Sequence, residues 1–119
     1  MFETNLDVRL VNIKNGKSWK LLADLVYNDK VHGLIGIPEG FETDFASVPR
    51  IPVVFELVGG YGHAAACVHD YLYHHGDLSR KEVDAILFRA LRDTNNGKIR
   101  SVLMYAGVRA FGWMFYKKN

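Results

Sequence analysis

Residues 63–92 read HAAACVHDYLYHHGDLSRKEVDAILFRALR, and this stretch decides the fold. Its apolar positions recur every three to four residues, the period of an amphipathic helix, and do not alternate as a strand's would. Gly76 suits a C′ position, because glycine enters the left-handed region without a Cβ clash. Ser79-Arg80-Lys81-Glu82 forms a capping box, with Ser79 as N-cap. The spacing therefore predicts one helix from about Gly62 to His75. A second runs from Ser79 to about Arg92 and stops at Asn95-Asn96-Gly97. Only Asp77-Leu78 separates the pair, so the two helices lie antiparallel or sharply angled. A third helix covers roughly Ile99 to Tyr116.

Upstream, the period changes to two. Leu6, Val8 and Leu10 alternate with Asp7 and Arg9, as in a half-buried strand. Asn15-Gly16 is a two-residue hairpin signal, since both turn positions favour φ > 0. Trp19 to Tyr27 and Val31 to Ile37 are two further strands, parted by Asn28-Asp29-Lys30. A three-stranded antiparallel meander is the simplest topology. Pro38 to Pro52 has no sustained period and contains three prolines, so it reads as a long ordered loop packed across the domain. The expectation is an α+β fold: a small N-terminal antiparallel sheet, a long loop, then three helices.

The 119 residues suffice for a single domain, spanning 1–119, and 49% hydrophobic content places it among globular chains. The net charge of +2 is dispersed, which gives no argument for nucleic acid. The single cysteine, Cys67, excludes an internal disulfide and a cysteine-based zinc site. The first seven residues have neither a basic region nor an apolar run, so no signal peptide is expected. Arg100 and Arg109 interrupt the most apolar segment, and no transmembrane span is expected.

Chemistry concentrates around Asp44, His69, Asp70 and Asp84. His69 has Ala65, Ala66, Leu72 and Tyr73 as same-face neighbours, so its imidazole projects from an apolar surface. Asp84 shares its face with Leu87, Phe88 and Leu91. A carboxylate in such company needs a partner, because burying it alone costs several kcal/mol. His69, Arg50 or a metal ion would serve. On the functional reading, Asp84 fixes the imidazole tautomer and His69 is a general base. Asp70 or Asp44 would hold a hard cation such as calcium or magnesium, beside the Thr43–Arg50 segment. On the structural reading, His69 and Asp84 tie two helices together, and Asp44 caps a helix or pairs with Arg50.

Weaker features read as structural. Ser47 lacks a nucleophile elbow and reads as a loop-capping hydroxyl. Cys67 reads as a buried inert thiol. His74-His75 suits a helix C-terminus, and His63 is a possible third ligand of unfixed direction. Gly59-Gly60-Tyr61-Gly62 reads as a flexible turn. The aromatic end of the third helix, with Trp113, Lys117 and Lys118, reads as covering the sheet, with a membrane or partner surface as the alternative.

Phe41 to Arg50 (FETDFASVPR) and Val68 to Tyr73 (VHDYLY), followed by Arg80 to Asp84 (RKEVD), resemble a family of short proteins encoded mainly by phages and prophages and of unknown function. The resemblance covers most of the chain and implies a phage or prophage origin, with the host cytoplasm or the virion as location. A looser similarity is to the helix pair of phospholipases A2. By that resemblance His69 is the base, Asp70 a calcium ligand, Asp84 the orienting carboxylate, and Tyr73 a nearby hydrogen-bond partner. Three functions follow: a metal-assisted hydrolase acting on a cell-envelope ester or amide, a non-catalytic virion or assembly component, or a modulator of a host protein.

Overall fold

The structure, a computed structural model, describes residues 1–10, 19–43, 63–75, 78–94, 98–111 and 113. The expected Asn15-Gly16 turn, the Pro38–Pro52 loop beyond Thr43, and the Gly76 cap lie outside these residues. The described part is α+β: strands β1 (Val8–Leu10), β2 (Trp19–Leu21), β3 (Leu25–Asp29), β4 (Gly33–Ile37) and β5 (Glu42–Thr43), then helices α1 (His63–His75), α2 (Arg80–Asp93) and α3 (Lys98–Phe111).

The strands do not form a meander. They make two antiparallel groups, β1-β2-β5 and the hairpin β3-β4. In the first, Val8 faces Leu21 and Trp19 faces Thr43. In the second, Leu25 faces Ile37 and Asp29 faces Gly33. The predicted Trp19–Tyr27 strand is broken because Leu22, Ala23 and Asp24 are all exposed, while Leu21 and Leu25 on either side are buried. The chain turns there from one sheet to the other. The Asp24 carboxylate accepts the Glu39 amide at 2.7 Å and pins the corner.

The β3-β4 turn follows from its side chains. Asp29 Oδ2 accepts the amides of Val31 and His32, and Gly33 completes the reversal at φ +77°, where a Cβ would be strained. Asp29 is buried and also receives two guanidinium bonds from Arg89 of α2, at 2.8 and 3.0 Å. That pair fastens the hairpin to α2.

The Ser79 hydroxyl accepts the Glu82 amide at 3.2 Å, as a capping box requires. Ser79→Ala is expected to cost about 1 kcal/mol in a urea titration; an unchanged midpoint would show the cap to be idle. On α2, Val83, Ile86, Leu87, Ala90 and Leu91 form the buried stripe, and Asp84 sits within it. α1 is enclosed more fully, with every residue from Ala65 to Asp70 buried. α2 packs between α1 and α3 and against β3, and α1 reaches β5. α3 packs principally on α2; of the aromatic end expected to cover the sheet, only the Trp113 side chain is among those described, and it is exposed.

Candidate functional site

The enclosure of α1 explains why two of its polar side chains need partners. His69 and Asp84 are each 0% exposed, and His69 Nε2 lies 2.7 Å from Asp84 Oδ1. Four residues further along α1, the Tyr73 hydroxyl donates to the same oxygen at 2.5 Å. The other oxygen, Oδ2, accepts from Arg109 of α3 at 2.9 Å and has Arg80 Nε at 3.6 Å. One carboxylate thus ties three helices. The link between α2 and α3 is reciprocal, since Arg80 at the start of α2 donates to the Val108 and Arg109 carbonyls in the last turn of α3. Those carbonyls are among the groups a helix end leaves unpaired.

The protonation states follow from this geometry. Burial opposes charge on Asp84, but the bonds from His69, Tyr73 and Arg109 outweigh it and hold its carboxyl below the usual range. Burial pushes the Tyr73 hydroxyl up, and its bond to Asp84 adds to the effect, so it stays protonated and donates. Burial also lowers the His69 pKa, against the raising influence of Asp84. His69 is therefore neutral at pH 7. A neutral ring facing an ionised carboxylate must carry its proton on Nε2, which leaves Nδ1 as the ring's acceptor.

A pH dependence follows. Unfolded His69 takes up a proton below its ordinary value of about 6.5, and the native ring resists it. The unfolded state then binds more protons, so stability falls as pH drops below about 6.5, by up to about 1.4 kcal/mol per unit. Urea midpoints should fall from pH 6.5 to 5.5 in the wild type and stay nearly level in His69→Gln. Equal slopes in both proteins would remove His69 as the cause.

Asp70 is turned elsewhere. Its Oδ2 accepts the Thr43 hydroxyl of β5 at 2.6 Å, and its Oδ1 lies 3.2 Å from His74 Nε2. Among the described residues no three His, Cys, Asp or Glu side chains converge as a metal site. With both oxygens of Asp70 already engaged, the described donors do not fit a calcium or magnesium ion, which takes six or more oxygens. Asp44, Ser47 and Arg50 lie outside the described residues, as do the side chain of His63 and the Gly59–Gly62 turn. Burial pushes the Cys67 thiol up to about 12, which matches an inert thiol.

Sequence reasoning did not propose Arg80 and Arg109 as partners of Asp84. Arg80 stands four residues before Asp84, an ion-pair spacing open to inspection. Arg109 was visible only as a cation interrupting an apolar run.

A family model described as "Protein of unknown function (DUF1353)" matches residues 19–108. The chain belongs to this family. The DUF1353 match runs from β2 nearly to the end of α3 and takes in His69, Asp70, Tyr73, Arg80 and Asp84, with Arg109 one residue beyond it. No curated protein and no solved structure matches the chain.

Proposed function

We propose that this chain is a hydrolase of phage or prophage origin, with His69 as general base and a cell-envelope ester or amide as substrate. The observation that carries the reading is the Asp84 carboxylate. It accepts from His69 Nε2 and Tyr73 on one oxygen and from Arg109 on the other. That arrangement orients a neutral imidazole with Nδ1 as acceptor. In the proposed step, Nδ1 takes a proton from water as the oxygen attacks the carbonyl, and the imidazolium then returns it to the leaving group. Tyr73 and Arg109 keep Asp84 ionised, so it stabilises the imidazolium and does not take the proton. Asp84 and Tyr73 are positioning residues.

The energetics of burial favour function over mere cohesion. Buried ion networks contribute little more than apolar packing of the same volume, so four polar side chains kept around one buried carboxylate are better explained by use. A cation held by Asp70 and Asp44 would need further oxygen donors to complete its shell.

The full burial of His69 favours a second reading, a non-catalytic virion or assembly component in which the network is structural. Catalysis requires that the ring be uncovered when substrate arrives. Purified protein assayed on phospholipid, aryl-ester and peptidoglycan substrates, beside His69→Gln, separates the two. Hydrolysis lost in the variant supports the hydrolase. No hydrolysis, or hydrolysis the substitution leaves unchanged, overturns it.

A further inference from the structure

α3 is apolar on both of its sides. Ser101, Met104 and Val108 are buried at helical spacing, and the opposite side carries Ile99, Val102, Leu103, Ala106 and Ala110, all exposed. A second apolar face, opposite the one packed on the core, is ordinarily covered as well. Ile99 is 77% exposed, and Trp113, two residues past the helix end, is 65% exposed. Of the eight large apolar side chains exposed among the described residues, four lie between residues 99 and 113. The exposure is therefore a patch and not the usual scatter. A groove of about 350 Å³ lined by Ala85, Phe88, Arg89, Val102 and Tyr105 extends it onto α2.

Charge indicates what covers the patch. From residue 98 to 119 the sequence has Lys98, Arg100, Arg109, Lys117 and Lys118 and no Asp or Glu. With five basic residues and no acidic one, the segment is cationic in sequence, and of these Arg109 is paired with Asp84. A second copy docking here would bring two cationic segments together. We propose that α3 lies flat on an anionic lipid surface, its Ile99–Val102–Leu103 face and Trp113 entering the interface, with the positive charge of the segment selecting anionic headgroups. Spanning is excluded for α3 by length: its 14 residues rise about 21 Å, less than the hydrocarbon thickness of about 30 Å. No helix among the described residues is long and apolar enough to cross a membrane. This inference does not depend on the hydrolase reading.

The test is co-sedimentation of the full chain with vesicles of phosphatidylcholine alone and of phosphatidylcholine mixed with phosphatidylglycerol. Binding should favour the anionic vesicles and weaken with salt, as the screening length contracts from about 10 Å at 0.1 M to about 3 Å at 1 M. Ile99→Asp and Leu103→Asp should each lower partitioning about tenfold or more. Both side chains are exposed, so the variants should keep the wild-type circular dichroism and melting transition. Equal binding to both vesicle types, or binding to neither, overturns the proposal. So does a dimer in light scattering that Leu103→Asp converts to monomer without any vesicle binding, since that assigns the face to a second copy.

Discussion

Asp84→Ala should lower the unfolding free energy by about 3–5 kcal/mol, the usual loss when one member of a buried charge network is removed. The reasons are local. Asp84 is wholly buried, and its loss leaves the His69 Nε2–H and the Tyr73 hydroxyl facing a cavity. A hydrogen bond to a charged acceptor is worth about 1.5–3 kcal/mol, and both groups lose one. Arg109 loses its carboxylate, and among the described residues the hydrogen bonds between α2 and α3 are reduced to those from Arg80 to the α3 carbonyls. Urea denaturation followed by circular dichroism reads the effect, and failure to fold would be its extreme form. A loss below about 1 kcal/mol would mean that the three helices dock without this carboxylate.

His69→Gln carries the second large effect, and it separates catalysis from cohesion. The glutamine side-chain amide can still donate toward Asp84 Oδ1, so the helix pair keeps its polar tie. Stability at pH 7 should therefore change by no more than about 1–2 kcal/mol. Glutamine cannot accept a proton at neutral pH, so a reaction that uses the ring as base should slow by about 10²–10⁴-fold. The informative result is the combination, a folded variant with the rate removed. A variant that loses stability and activity in proportion would point to the structural reading.

Local chemistry made much of the architecture legible. The 3.6-residue period of Val83, Ile86, Leu87, Ala90 and Leu91 marks α2 on its own, and Ser79 marks where it begins. Each signal acts within one or two helical turns, which is why it can be read along the chain. The sheet was less legible. Period-two alternation says that a segment is a strand but carries no information on which strand it pairs with. β2 accepts β5 as a neighbour only because the chain turns at Leu22–Asp24 and returns past Gly40.

The candidate site divides along the same line. His69 and Asp84 stand out in the sequence because polar side chains on apolar helix faces must find partners, whereas Tyr73 enters only through the resemblance to the phospholipase A2 helix pair. That need follows from desolvation and is a property of the residues themselves. Which partners they find is a property of docking. Adjacent on one helix, His69 and Asp70 point a ring toward α2 and a carboxylate toward Thr43 of β5, since successive helical positions differ by about 100°. The Asp84 contacts join residues 15 and 25 positions apart. By itself the sequence determined that this is an α+β chain with buried acid and histidine in need of company. Only the packing of three helices decided that Arg109 stands at Asp84, because so distant a pairing is set by how surfaces fit and not by any local period.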